Sequence, residues 1–258
     1  MDTRIDRQRR HFDSIAERYE TARAHPNHLC LRELIWTELF KGKALHLPDP
    51  VSVLEPMCGF ADGRRILTEN LKVSIEYHGF DFSTEVISRL RKKDPSIDVW
   101  EQDVTTFHTE TKFDFLIILG GLHHVPHAAG KVVANLVECL KPGGLFINLE
   151  PTHGNGLFER IRSWIYKRNS LFDEETERAF SVEELCGFFE RAGLENVDIF
   201  YPGMLAYVMY YNPDSFPSLN IGGPRLVRAI WSLERRLVRG GIARRLSFAT
   251  LSMWRRPV

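Results

Sequence analysis

Net charge is missing from this 258-residue chain, in which 34 Lys and Arg residues are matched by 34 Asp and Glu. Without a net field there is no general attraction for nucleic acid, and a polyanion would have to meet a local patch. Cysteine is scarce as well. Cys30, Cys58, Cys139 and Cys186 stand far apart, with no C-x-x-C pair and no His/Cys cluster at metal spacing. That indicates neither a disulfide framework nor a zinc site, and it favours a reducing cytoplasm. Long apolar runs are absent too, since stretches such as Phe115 to Leu119 are far too short to span a bilayer. Met1 to Arg10 is charged and has no apolar segment of a secretory signal, so the expected location is cytoplasmic. Repeats and low-complexity tracts are also lacking. What remains is 43% hydrophobic residues, ample for the packed core of one α/β domain.

Phe12, Ile15, Ala16 and Tyr19 recur at helical spacing and predict a first amphipathic helix. Leu31, Leu34, Ile35 and Leu39 predict a second, with Asn27 as its cap and Gly42 as its stop. From Val51 short apolar runs alternate with helical segments, the pattern of βαβ units and a parallel sheet. Strands are expected near 51–55, 75–80, 97–101, 113–119 and 145–150, with a sixth near 196–201 and a last over Leu246–Trp254. The helices between them fall near 62–71, 83–93 and 127–140, the last halted by a turn at Lys141–Gly144. Ser181 to Glu184 reads as a capping box. Tyr201 to Pro224 reads as irregular, and Arg225 to Arg239 as helix. The expected architecture is therefore α/β, a doubly wound, seven-stranded, mostly parallel sheet with helical insertions. Residues 1–50 would form a helical lid and 51–201 a cofactor-binding core interrupted at about 151–180. Residues 202–258 would add a substrate cap, a basic helix and the final strand.

The segment Val51 to Gly63 carries the most chemical information. A strand ends in an acid, Glu55, and a turn of small residues leads into a helix, so backbone N–H groups come close to a ligand at the sheet's carboxyl edge. Glu55, Met57 and Ala61 break the G-x-G-x-x-G pattern of a pyrophosphate site. An acid at the strand tip repels phosphate but suits a ligand bearing an ammonium and a sulfonium.

Leu54-Glu55-x-x-Cys58-Gly59 resembles the first motif of the class I, Rossmann-like S-adenosylmethionine-dependent methyltransferases, with Met57 and Ala61 standing where glycines are usual. Gly79 to Ser83 is similar to the second motif, Gln102-Asp103-Val104 to the third, Phe113 to Val125 to the fourth, and Leu140 to Leu145 to the turn into the fifth strand. The resemblance runs from about Val51 to Phe200 and implies S-adenosylmethionine as cofactor and methyl transfer as activity. It implies that Glu55, Met57, Cys58 and Gly59 hold the methionyl part, that Asp81 accepts from the ribose hydroxyls, and that Phe82 stacks on adenine. It further implies that Asp103 accepts from the adenine amino group beside Val104, and that Gly120 and Tyr19 border the site.

Methyl transfer from a sulfonium is an in-line displacement that depends on positioning. A hydroxyl acceptor needs a general base, whose natural place is just past the fourth or fifth strand. His124 is the first candidate and His153 the second, with His123 and Glu150 beside them. The expected reaction is O-methylation of a small-molecule or glycan-like acceptor. The alternatives are C- or N-methylation of a quinone-like or other small molecule, and a non-catalytic S-adenosylmethionine-binding protein. Nucleic acid is disfavoured as substrate, because Gly120-Gly121-Leu122-His123 replaces the Asn/Asp-Pro-Pro-Tyr/Phe of base amino methylation and there is no Pro-Cys nucleophile. Substrate contacts are expected from Trp164, Tyr166, Phe172 and Asp173 to Arg178, and from Tyr207, Tyr210, Tyr211, Asn212, Pro213 and Phe216. No metal is called for.

Charge is nonetheless unevenly placed. From Pro224 to Val258 there are nine arginines and one acid, Glu234. Leu226, Ile230, Leu233 and Leu237 share one side of a helical wheel, and Arg225, Arg228, Arg235, Arg236 and Arg239 the other. Such a helix either packs on the body with solvated arginines or makes peripheral contact with a membrane.

Overall fold

The computed structural model describes residues 3–168 and 177–258. Two helices, α1 (Thr3–Arg23) and α2 (Pro26–Phe40), precede the alternating units β1 (Val51–Pro56), α3 (Asp62–Asn70), β2 (Ile75–Asp81), α4 (Thr84–Lys93), β3 (Val99–Glu101) and β4 (Phe113–Leu119). The chain continues through α5 (Ala129–Glu138), β5 (Leu140–His153), α6 (Gly156–Arg168), β6 (Phe180–Ser181), α7 (Val182–Arg191) and β7 (Glu195–Phe200). It ends with α8 (Leu205–Tyr210), α9 (Pro224–Glu234), α10 (Gly241–Leu246) and β8 (Ala249–Arg255).

Seven strands run in the order β3-β2-β1-β4-β5-β8-β7, and the two-residue β6 pairs with the end of β5. The β1–β2, β1–β4, β2–β3 and β4–β5 pairs are parallel, and β8 lies antiparallel between β5 and β7. The order reverses between β1 and β4, which opens a crevice at their carboxyl ends. Apolar cores fill both faces of the sheet. One gathers Leu31, Ile35 and Trp36 of α2 with Ile66, Leu67, Val86 and Ile87. The other gathers Val132, Val133 and Leu136 of α5 with Leu185 and Phe189 of α7, and Trp254 of β8 stacks on Phe189 at 5.1 Å. Ser83 caps α4 by accepting from the Val86 N–H, and Ser181 caps α7 by accepting from that of Glu184.

Several local expectations are corrected. Lys141 to Gly144 does not separate helix from strand but forms an irregularity inside β5, where the β4 partner moves from Leu140 to Leu145. Leu246 closes α10 rather than opening the last strand, which begins at Ala249. Tyr201 to Pro224 contains α8 and a 3-10 turn at Pro217–Leu219, and α9 stops at Glu234 rather than at Arg239. Among the described residues, no helix is long and apolar enough to cross a membrane.

Candidate active site

The crevice at the β1–β4 switch is roofed by α1 and by the segment from α8 to Phe216. Its wall includes Phe12, Tyr19 and Arg23 of α1, the β1 turn, Asp81 and Phe82, the β4 loop, and Tyr207, Tyr211, Asn212 and Phe216. The β1 turn keeps the path that glycines would give it. Met57 and Ala61 take left-handed φ of 55° and 58°, a conformation costing about 1–2 kcal/mol for a residue with a Cβ. Gly59 and Gly120 line the cavity, and a Cβ at Gly59 would meet nothing within 4 Å while one at Gly120 would meet only the His123 ring at 3.7 Å. The floor is thus bare backbone, open to a ligand.

Glu55 is buried and turned toward the start of α3, where it accepts from the Gly63 and Arg64 N–H groups at 2.8 and 3.2 Å and from the Tyr77 hydroxyl at 2.7 Å. Burial pushes its carboxyl up to about 8 against the pull of those donors. Asp81, at the tip of β2, accepts from the Gly59 and Ser83 N–H groups at 3.0 Å each. The carboxylate belongs to the cavity wall, and its oxygens have further accepting capacity. Those acceptors, the bare floor and the Phe82 ring fit an adenosyl ligand bearing a positive sulfonium.

Asp103 stands elsewhere. Its Oδ1 accepts from the Thr105 N–H and hydroxyl at 2.8 Å each, closing a turn, and neither it nor buried Val104 is part of the cavity wall.

The four candidate catalytic residues also divide. Glu150 is fully buried and accepts from the N–H groups of Gly121, Leu122 and His123 and from His123 Nδ1 at 2.8 Å. It holds the β4 loop rather than facing the cavity. Glu150→Ala would orphan these donors and is expected to destabilise the fold by about 3 kcal/mol, lowering the thermal midpoint by roughly 6–12 °C in a scanning melt. His153, at the end of β5 opposite Ser181, is outside the wall.

His123 and His124 do reach the cavity, their ring centroids 3.8 Å apart. His124 sits edge-on to Phe12 at 4.8 Å, and its Nδ1 lies 3.3 Å from Glu177 Oε1. Burial alone would lower the His124 pKa, but the charges of Glu177, Glu150 and Asp81 overcome it and raise the value above the ordinary 6.5. His123 is lowered, by burial first and then by His124. His123, His124 and Glu177 bring ligand atoms within 4.8 Å of one another, a grouping a divalent cation could use.

Of the residues expected near substrate, Tyr207, Tyr211, Asn212 and Phe216 line the cavity. Tyr210 is buried behind it, donating to the Ile221 carbonyl, and Trp164 is 55% exposed on α6. Arg178 makes a two-pronged pair with Glu184. Phe172 and Asp173 to Thr176 lie outside the described residues, as does the side chain of Tyr166.

Sequence reasoning gave Glu177 no partner and passed over Arg23. The Arg23 guanidinium lies between the faces of Tyr19 and Tyr211, at 4.6 and 5.1 Å, and donates to the Tyr19 hydroxyl and the Tyr211 carbonyl. Among the described residues no carboxylate pairs with it. Its position one helical turn after Tyr19 was the available signal.

Residues 53–144 match the family model described as "Methyltransferase domain". A demethylmenaquinone methyltransferase of Lactiplantibacillus plantarum is 26% identical over 176 residues, covering 59% of this chain and 74% of that protein. Haemonchus contortus phosphoethanolamine N-methyltransferase 2, solved with phosphomonomethylethanolamine and S-adenosylhomocysteine, superposes with a TM-score of 0.63 at 15% identity, covering 95% of this chain and 58% of the other. An S-adenosylmethionine-dependent methyltransferase of Mesorhizobium loti gives 0.53 at 17% identity, covering 84% and 100%.

Proposed function

We propose that this chain, a class I S-adenosylmethionine-dependent methyltransferase, methylates a small hydroxylated aromatic ring of the quinol type. The observation that carries the reading is the His124–Glu177 pair, held in the wall of a cavity to which Phe12, Phe82, Tyr207, Tyr211, Phe216 and Phe248 also belong. Planar aromatic walls suit a planar ring, and His124, with Glu177 beside it, is placed in that wall to accept a hydroxyl proton.

When bound, S-adenosylmethionine supplies the methyl electrophile. The chain's own residues position and deprotonate. His124 takes the ring hydroxyl's proton, Glu177 stabilises the imidazolium that forms, and neutral His123, anchored by Glu150, keeps the loop in place. Loss of that proton enriches the oxygen and the ring carbon beside it. Relatives named as demethylmenaquinone methyltransferases favour the carbon, in place of the oxygen expected from sequence; the C–CH3 bond then forms as the S–CH3 bond breaks, and the proton on that ring carbon leaves to solvent to restore the aromatic ring. Four free cysteines support a cytoplasmic location.

The test is methyl transfer to a panel of reduced naphthoquinones, catechols and sugars, with the product's methyl located by NMR. Transfer to ring carbon of the quinols supports the reading, and transfer to sugars alone would overturn it.

Arg23 belongs to the same reading as the group that receives the methionyl carboxylate. Arg23→Met is expected to weaken S-adenosylhomocysteine about tenfold, the value of one charge-assisted contact, and to leave 5′-methylthioadenosine, which lacks that carboxylate, unchanged by calorimetry.

A further inference from the structure

We infer that the surface formed by α9, α10 and α6 seats the protein on an anionic phospholipid bilayer. The sequence pattern alone would turn the leucine stripe of α9 inward. The structure turns its leucines out, while Ile230 packs partly against the core. Val227, Trp231 and Glu234 are the buried residues of α9, whereas Leu226 is 38% exposed and Leu233 76%. Beyond the helix, Leu237 is 43% exposed. The buried face points at α2, where Arg228 pairs with Glu33. The leucines lie about a quarter-turn away on the wheel and are left to solvent.

The pattern continues on the neighbouring elements. Ile242 and Leu246, one turn apart on α10, are 60% and 43% exposed. Leu157, Ile161 and Trp164 form an i, i+4, i+7 stripe on α6 and are 64%, 37% and 55% exposed. The two helices are fastened together, since Asn155 donates to the Arg245 carbonyl and the Phe158 and Phe248 rings lie 4.7 Å apart. Among the described residues, Arg225, Arg235, Arg236 and Arg245 are exposed and have no carboxylate partner. Glu159 is the single acid in α6.

Exposed aliphatic side chains alternating with unpaired guanidinium groups fit an anionic bilayer, which takes the leucines between its headgroups while its phosphates meet the arginines. A nucleic acid would satisfy the arginines and leave the leucines in water. The surface also borders the cavity, because Arg162 of α6 and Phe248, just past α10, belong to its wall.

The experiment is flotation of the full chain with vesicles of phosphatidylcholine alone or mixed equally with phosphatidylglycerol, at low and high salt. It is read without methyl transfer and so stands apart from the acceptor assignment. Binding to the mixed vesicles only, weakened by salt, is expected. Leu233→Ser with Ile242→Ser, and separately Arg235→Gln with Arg236→Gln, should each weaken it about tenfold or more while S-adenosylhomocysteine binding is retained. No flotation at low salt would overturn the inference. So would binding that ignores the leucine and isoleucine changes and is matched by duplex DNA, the mark of a general polyanion surface.

Discussion

Asp81→Ala is expected to weaken S-adenosylhomocysteine binding by about a hundredfold or more. The carboxylate stands at the tip of β2 in the cavity wall, its two oxygens accepting from the Gly59 and Ser83 N–H groups. Two charge-assisted bonds to vicinal hydroxyls contribute roughly 1.5–3 kcal/mol each, and about 1.4 kcal/mol is a factor of ten. The substitution also releases the Gly59 N–H, so the floor of the site loosens. Asp81→Asn retains one acceptor and should fall between wild type and alanine. The measurement is calorimetric titration of protein stripped of bound nucleoside, with a melting curve to confirm the fold. Unchanged affinity in Asp81→Ala would remove Asp81 from the site.

His124→Ala should lower the rate of transfer by about 10²- to 10⁴-fold, the range for loss of a general base, while cofactor affinity stays near wild type. The sign of the pH dependence follows from the environment. Carboxylates, Glu177 first among them, raise the His124 pKa above 6.5 despite burial, and only the neutral imidazole accepts a proton. The rate should therefore climb with pH through a midpoint above 6.5. Glu177→Gln should move that midpoint down as well as slow the reaction. The same pair stabilises the fold fully below the unfolded imidazole pKa and loses its contribution as the pH rises through the folded value. A pH–rate profile insensitive to Glu177→Gln, or a His124→Ala enzyme at full rate, would assign the two residues a purely structural part. A proton-accepting role also requires that activity survive chelation by EDTA, since a cation held by His123, His124 and Glu177 would occupy the imidazole.

Much of the molecule is legible in the linear chain. The alternation from Val51 onward places β1 to β5 and their helices within a few residues, because strand and helix periods are local properties of short windows. The acids at strand tips are equally readable, and Asp81 lies where the pattern puts it. Asp103 shows the limit. Its motif is present, and Thr105, two residues on, engages one of its oxygens, Oδ1, in a local turn that the motif does not announce.

By itself the sequence determined the fold class, the ligand-bearing edge of the sheet and the residues of the β1 turn, all set by neighbours close in the chain. Tertiary structure decided the rest. It brought Glu177 to His124 from a distant segment, and it enclosed Glu150 among the backbone donors of the β4 loop. It also chose which face of α9 meets the body. Periodicity says which side chains share a face; which face is buried depends on the partner element that arrives there, and no local pattern encodes that meeting.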